Sequence, residues 1–280
     1  MKRVFEIIGL LSLLCFSFMV TEKTSLVVKN TDELMMKIKK EAGNFKINSM
    51  DAIINDDSII PGISGREVDI DKSYKNMKKY GIYNEELYVY KNVLPSISIE
   101  KNKDKYIISG NPQKRAVTLI FYLENNENID KILNTLNNNS IKANFFVDEK
   151  WFSQNKDLIL NLINEGHIIG NLSENLDYRN SSFNYINTII KSIGKQKNGY
   201  CYYTNKKENI DACVLLDNYT IKPLEIKNNY FKEIKNNLSS GNIFSFKISN
   251  QLNDEINLII NYIKSKGYEI INIDELIKEE

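Results

Sequence analysis

The side chains that could do chemistry in this 280-residue chain are few, and histidine is the scarcest of them. His167 is the only histidine, and Cys15, Cys201 and Cys213 are the only cysteines. Paired-imidazole catalysis and multi-histidine metal sites therefore cannot be built from this sequence. Three cysteines make no disulfide framework. Cys201 and Cys213 could pair in an oxidising compartment, but we predict that they are two buried thiols.

Four charged residues remain as candidates for acid–base chemistry, namely Glu124, Glu174, Asp217 and Lys247. All four could lie near the carboxyl ends of predicted strands, where barrel enzymes place their active sites. A carboxylate pair there could act on a glycosidic bond if the two groups were about 5–9.5 Å apart. No spacing in the sequence requires these acids to converge, so a rebuilt hydrolytic site is an alternative and not the main prediction.

The overall composition excludes some classes of partner. The chain has 37 Lys and Arg against 36 Asp and Glu, which gives a formal net charge of +1. Such a balance provides no general attraction to polyanions, so we predict no nucleic-acid partner. The hydrophobic content of 42% is that of a globular protein.

The N-terminus has the features of an export signal. Lys2 and Arg3 precede an apolar run from Ile7 to Val20, and polar sequence begins at Thr21. This order predicts that residues 1–24 are a signal peptide or an uncleaved membrane anchor. The remainder is then exported, either membrane-anchored or secreted.

Two patterns of predicted elements follow the N-terminal segment. The pattern in residues 25–112 predicts a small α+β domain with a helix near 31–42. We recognise no set of catalytic residues in it. From residue 113 to 280 strands alternate with helices, which indicates a mostly parallel sheet. The predicted strands are Ala116–Phe121, Ala143–Val147, Ile168–Asn171, Tyr200–Tyr203, Ala212–Leu216, Ile243–Ile248 and Glu269–Ile271. No glycine-rich phosphate loop follows the first strand, so a barrel is favoured over a nucleotide-binding sheet.

Several strings in the second region resemble the polysaccharide deacetylase family, also called the NodB homology domain. They are RAVTLIFYLEN from Arg115, KANFFV from Lys142, NEGHIIGN from Asn164 and GYEIINIDELI from Gly267. The resemblance covers roughly residues 114–278 in the family's order. It implies a distorted (β/α) barrel of about seven strands, preceded here by the small α+β domain.

The resemblance also implies a reaction, the metal-dependent removal of acetyl groups from N-acetylated sugars. In the family an Asp and two His hold the metal, a second Asp is the general base and a later His is the general acid. Here the general-base position is Tyr122, the metal-binding Asp position is Leu123, the two metal-binding His positions are Leu172 and Leu176, and the general-acid position is Lys247.

None of these five side chains matches the family's residue, and leucine cannot bind a cation. His167 falls at a family position that is not a metal ligand, and we predict a structural role for it. We therefore predict no metal, no other cofactor and no deacetylase activity, with the three leucines packed as core.

A catalytically inactive barrel kept for binding is the function we predict. Tyrosines stack on sugar rings while their hydroxyl groups form hydrogen bonds. The candidate groove-lining residues are Tyr122, Glu124, Asn171, Glu174, Tyr202, Tyr203, Asp217 and Lys247. The expected partner is a cell-wall glycan or an envelope protein, and an assembly or scaffold role is included. The alternative is an active carbohydrate hydrolase with a rebuilt site.

Overall fold

The computed structural model describes Ser17, residues 32–124 and residues 128–280. The predicted signal peptide or anchor, residues 1–24, lies outside these residues except for Ser17. Within the described part of the chain, no helix has the length and apolar character needed to cross a membrane.

From residue 116 onward the described strands and helices largely alternate, as the sequence predicts for an α/β protein. The strands are β1 (Ile53–Asn55), β2 (Ser58–Ile60), β3 (Gly65–Val68), β4 (Tyr90–Val93), β5 (Tyr106–Ile107), β6 (Ala116–Leu123), β7 (Asn144–Asp148), β8 (Ile168–Ser173), β9 (Gly199–Tyr202), β10 (Asn218–Ile221), β11 (Leu224–Ile226), β12 (Ile243–Lys247) and β13 (Glu269–Ile270). The helices are α1 (Glu33–Glu41), α2 (Ile70–Lys78), α3 (Asp130–Asn138), α4 (Glu149–Gln154), α5 (Lys156–Asn164), α6 (Ser181–Ile193), α7 (Lys207–Leu215), α8 (Tyr230–Asn237), α9 (Asn250–Ser265) and α10 (Ile273–Ile277).

The chain divides into two compact units that are not consecutive in sequence. One unit contains the residues up to Ser49 together with Ser64–Val93, and the other contains Met50–Ile63 together with Leu94–Glu280. The predicted boundary between residues 112 and 113 does not coincide with this division. The physical reason is that β1, β2 and β5 pair into the sheet of the larger unit.

The smaller unit is an α+β module with its own core. Strands β3 and β4 pair antiparallel, and helices α1 and α2 pack beside each other. Both helices are capped by aspartates: Asp32 accepts a hydrogen bond from the Leu34 amide at 2.9 Å, and Asp69 accepts one from the Lys72 amide at 3.0 Å. The buried core residues are Met35, Ile38, Val68, Tyr74, Met77 and Tyr88.

The larger unit is built on one mostly parallel sheet. Its strand order is β1-β2-β5-β10-β9-β8-β7-β6-β12-β11, with β13 paired to β6. Among the described strand pairs of this sheet, only β1–β2 is antiparallel. Three strands separate β9 from β12 along this order, yet the Tyr202 hydroxyl group on β9 lies 3.2 Å from Ser245 Oγ on β12. The sheet is therefore strongly curled, and the predicted barrel fold class is confirmed.

The central strands are buried on both faces. On β6, Leu119, Phe121 and Leu123 pack toward the helices, whereas Ile120 and Tyr122 face the inside of the curl. All eight residues of β6 are buried. This explains why its sequence is apolar except for Thr118 and does not alternate with polar residues.

One predicted strand is a helix. Residues 212–216 were expected to form a strand because of their apolar run, but they lie at the end of helix α7 and in the turn after it. A short apolar run cannot by itself distinguish a buried strand from a buried helical turn. The strand in this region is β10, which begins at Asn218.

The prediction of two free buried thiols is wrong. Cys201 on β9 and Cys213 on α7 form a disulfide with a Cα–Cα distance of 6.3 Å, and neither residue is exposed. The correction has a simple cause. Because residues 212–216 are helical, Cys213 faces the sheet and reaches Cys201, where it packs against Tyr178 and Phe183.

Candidate functional site

A pocket of about 570 Å³ opens at the carboxyl ends of β6, β9, β11 and β12. This is the end of the barrel where βα-barrel enzymes place their sites. Half of the lining residues are aromatic or aliphatic, and the other half are polar or charged. The lining residues are Tyr122, Leu176, Tyr202, Tyr203, Thr204, Asn205, Glu225, Ile226, Lys227, Tyr230, Ser245 and Lys247.

The positions that match the family's metal ligands do not fit a metal. Leu123 and Leu172 are buried at 0% and 1% exposure, and Leu176 is half-buried in the pocket wall. Their side chains carry no atom that could coordinate a cation. In the described part of the chain, no three His, Cys, Asp or Glu side chains group together in a way that could hold one.

The three leucines do not form a single plug. Leu172 packs inside the curl with Tyr122 and Phe146, and Leu176 packs against the same cluster. Leu123 points the opposite way, into the layer between the sheet and the helices. This follows from strand alternation, since Leu123 is the residue after Tyr122 on β6.

The turn after β8 is strained and firmly held. Ser173, Asn175 and Leu176 have φ values of 59°, 53° and 55°, a backbone region that costs about 1 kcal/mol or more for residues such as leucine. Ser173 Oγ donates to the Asp177 carbonyl oxygen at 2.8 Å, and Asn209 Nδ2 donates to the Leu176 carbonyl oxygen at 2.7 Å. These bonds hold Leu176 in the pocket wall.

Two tyrosines form the floor of the pocket. The rings of Tyr122 and Tyr202 meet edge to face with centroids 5.2 Å apart. The Tyr202 hydroxyl group lies 3.2 Å from Ser245 Oγ and 3.3 Å from Glu225 Oε1. At the rim, Lys247 Nζ lies 5.0 Å from the centroid of the Tyr122 ring. The arrangement places two aromatic rings and a hydrogen-bonded hydroxyl group at the pocket floor.

These phenols are neutral hydrogen-bonding groups at physiological pH. Burial raises the pKa of Tyr122 well above its ordinary value, and the neighbouring Glu124 carboxylate raises it further. Burial likewise raises the pKa of Tyr202, against a lowering contribution from its bond to Ser245. The sequence resemblance predicts Tyr122 at the family's general-base position, but a neutral phenol with a raised pKa is a poor base.

Some predicted groove residues lie outside the pocket. Asn171 is fully buried, where Nδ2 donates to the Phe183 carbonyl oxygen and Oδ1 accepts from the Ser173 amide. Glu174 is exposed and accepts a hydrogen bond from Asn180 at 2.7 Å. Both residues support the turn after β8.

Asp217 lies at the opposite end of the sheet from the pocket. It precedes β10, and its carboxylate contacts Lys103 Nζ at 2.5 Å. The prediction that Asp217 lines the groove is therefore wrong. Its cause is the misassigned strand at residues 212–216, which would have put Asp217 at a carboxyl end.

Glu124 contributes to the rim without lining the cavity. Its carboxylate pairs with Lys247 Nζ at 3.4 Å. The candidate acids therefore do not converge. Of Glu124, Glu174 and Asp217, only Glu124 lies beside the pocket.

Sequence reasoning missed several lining residues, notably Ser245, Glu225 and Lys227. Ser245 could have been found, because it lies two residues before Lys247 on the same face of a strand. Glu225 and Lys227 belong to the region of β11, a three-residue strand after Pro223 that shows no strand pattern of its own.

His167 is a buried structural residue that directly precedes strand β8. Its ring is 1% exposed, Nδ1 accepts a hydrogen bond from the Ala143 amide at 3.1 Å, and the ring meets Phe145 edge to face. Burial, with a contribution from Lys142, lowers its pKa from 6.5 to about 4. The neutral imidazole is therefore the form that the fold holds.

We expect His167 to make the protein sensitive to mild acid. His167 takes up a proton near pH 6.5 in the unfolded chain but only near pH 4 in the folded protein. The neutral side chain therefore contributes about 3 kcal/mol to the free energy of unfolding above pH 6.5, and this contribution is lost as the pH falls to 4. Urea unfolding at several pH values should show a shallower loss for His167→Gln than for the wild type. Equal slopes for both proteins would contradict the prediction.

Comparison with known proteins relates part of the larger unit to a family. Residues 109–209 match the family model described as polysaccharide deacetylase. This part of the barrel is similar to polysaccharide deacetylases. The family predicted from the sequence strings is confirmed.

The chain is also similar to individual proteins. The uncharacterized protein YlxY of Bacillus subtilis is 33% identical over 156 residues, which are 54% of this chain and 48% of that protein. The match thus spans about half the length of this curated relative.

Solved structures share the fold at low sequence identity. BA3943 of Bacillus anthracis, a CE4 family pseudoenzyme, is 24% identical with a TM-score of 0.66 over 89% of this chain and 96% of that one. PdaA of Bacillus subtilis, a family 4 carbohydrate esterase, is 22% identical with a TM-score of 0.52 over 64% of this chain and 86% of that one.

Proposed function

We propose that this protein is a non-catalytic glycan-binding protein of the cell envelope, built on a deacetylase-like barrel. The observation that carries the proposal is the tyrosine-floored pocket of about 570 Å³ at the end of the barrel where a catalytic site would lie. Its open volume favours a binding role over a purely structural scaffold. The pseudoenzyme BA3943 offers a precedent for a barrel of this fold without activity.

The chemistry of the pocket supports binding more than hydrolysis. Its floor offers the rings of Tyr122 and Tyr202, and its wall offers Tyr203, whose hydroxyl group donates to Asn205 at 2.8 Å. Aromatic faces and fixed polar groups are what sugar rings need, since each ring has apolar C–H faces and hydroxyl edges.

The disulfide supports the export part of the proposal. Cys201 and Cys213 are joined, and structural disulfides persist in oxidising compartments outside the cytosol. The charged and apolar N-terminal segment points in the same direction. Fractionation of cells into cytosol, membrane and medium tests it. Recovery of the protein only from the cytosol would contradict export.

We expect the full chain to bind N-acetylglucosamine oligomers with a dissociation constant in roughly the millimolar range. Tyr203→Ala should weaken binding about fivefold, or about 1 kcal/mol, because it removes a half-buried ring from the wall. Titration followed by NMR measures both values. Tyr185→Ala is the matched control, since Tyr185 is 42% exposed and does not line the pocket.

Three outcomes would overturn the proposal. The glycan-binding function falls if the wild type binds no oligomer at millimolar concentration. The pocket is wrongly assigned if Tyr203→Ala binds as well as Tyr185→Ala. Acetate release from the oligomers by protein with stoichiometric zinc would show an active deacetylase and contradict the non-catalytic role.

A further inference from the structure

The pocket continues into a second cavity of about 450 Å³. Tyr202, Tyr203, Asn205, Glu225 and Lys227 line both cavities, so the two are adjacent parts of one groove. A single sugar ring does not fill such a groove. The extension offers space for a neighbouring ring or for a substituent that projects from the first one.

Lys222 gives the second cavity a distinct chemistry. Its Nζ lies 4.5 Å from the centroid of the Tyr203 ring and 4.9 Å from that of Tyr106, and these two rings lie 4.4 Å apart. The backbone amide of Lys222 donates to the Ile107 carbonyl oxygen at 2.8 Å, which fixes the base of the side chain. Cation–π contacts of this kind position an ammonium group without neutralising it.

The charges along the groove do not balance. Among the described residues, three lysines line the two cavities and Glu225 is the one acidic residue in the lining. Lys227 is paired with Glu225 at 3.0 Å, and Lys247 is paired with Glu124 at 3.4 Å. For Lys222, no carboxylate of the described residues lies within 4 Å. Lys222 is exposed, and an anionic group in the second cavity could pair with its ammonium group.

We infer that the groove selects a glycan that carries a carboxylate, with a sugar ring against Tyr202 and Tyr203 and the carboxylate at Lys222. The inference rests on the proposed glycan-binding function and makes its ligand class more specific. The carboxylate could belong to a uronic acid ring or to a lactyl ether on an amino sugar. Both offer the same anionic oxygens to the ammonium group.

The test compares three tetrasaccharides: an N-acetylglucosamine tetramer, a tetramer alternating with glucuronic acid, and a tetramer alternating with a lactyl-ether amino sugar. We expect at least one acidic ligand to bind about fivefold more tightly than the neutral one at low salt. The advantage should shrink in about 0.5 M salt, where charges are screened beyond a few ångströms. Which acidic ligand binds more tightly identifies the source of the carboxylate.

A matched pair of variants assigns the selectivity to its residue. Lys222→Gln should abolish the acidic advantage, so that the acidic and neutral tetramers bind this variant equally. Lys131→Gln, an exposed lysine on α3, should retain the full advantage. Equal binding of acidic and neutral ligands, or an unchanged advantage in Lys222→Gln, would overturn the inference but leave the glycan-binding function standing. If no ligand of either class binds, that function falls, and the inference falls with it.

Discussion

Replacing Cys201 and Cys213 together by alanine is expected to lower the free energy of unfolding by about 3 kcal/mol. The disulfide closes a loop with a sequence separation of 12, and losing it returns conformational freedom to the unfolded chain. The two sulfur atoms also fill a buried cluster with Tyr178 and Phe183, so the cavity left behind adds to the loss.

Urea unfolding with and without reductant measures the contribution of this disulfide. The midpoint of the wild type should fall after complete reduction, and that of the double alanine variant should not move with reductant. Because both cysteines are fully buried, reduction needs a denaturing step before refolding. An unchanged midpoint for fully reduced wild type would contradict the prediction.

A second large effect is expected from restoring a histidine where the family has a metal ligand. Leu172→His should cost about 3 kcal/mol, because Leu172 is buried inside the curl and an imidazole there would lack hydrogen-bonding partners. Leu176→His should cost less than about 1 kcal/mol. Leu176 is half-buried beside the open pocket, and its φ of 55° suits histidine better than leucine.

The contrast between the two variants is the measurement. Urea midpoints of Leu172→His and Leu176→His, each compared with the wild type, give the two free-energy differences. Equal losses would mean that the inner position is no more tightly packed than the pocket wall. In that case Leu172, at a position where the family has a metal ligand, would not behave as a core residue.

The family and the barrel could be predicted from sequence because some short sequence strings contain residues whose type is fixed by their contacts in the fold. The string KANFFV is an example. Asn144 donates to the Leu119 carbonyl oxygen at 2.8 Å and accepts from the Ile273 amide at 2.7 Å, which ties β7 to β6 and to the C-terminal helix α10. Gly170 in NEGHIIGN is another, since a Cβ atom there would lie 2.5 Å from the Phe146 ring.

The detailed composition of the site could not be predicted, because it depends on pairings between distant parts of the chain. Glu225 enters the pocket through β11, which is recognisable only by its pairing with β12. Prediction of the disulfide required knowing whether residues 212–216 form a strand or a helix, and an apolar run does not distinguish the two. The contact of Tyr106 with Tyr203 and Lys222 could not be predicted either, because Tyr106 lies on a two-residue strand within the residues predicted to form the small α+β domain.

The strand order also determines how the protein reaches its native state. Strand β6 pairs with β7, β12 and β13, so its last partners lie more than 100 residues further along the chain. At typical synthesis rates, roughly ten seconds pass between the appearance of β6 and that of β12. During this interval one edge of a largely apolar strand has no pairing strand, and an unpaired strand edge favours aggregation. The barrel is therefore expected to need protection until its final fifth has been made, whatever ligand it later holds.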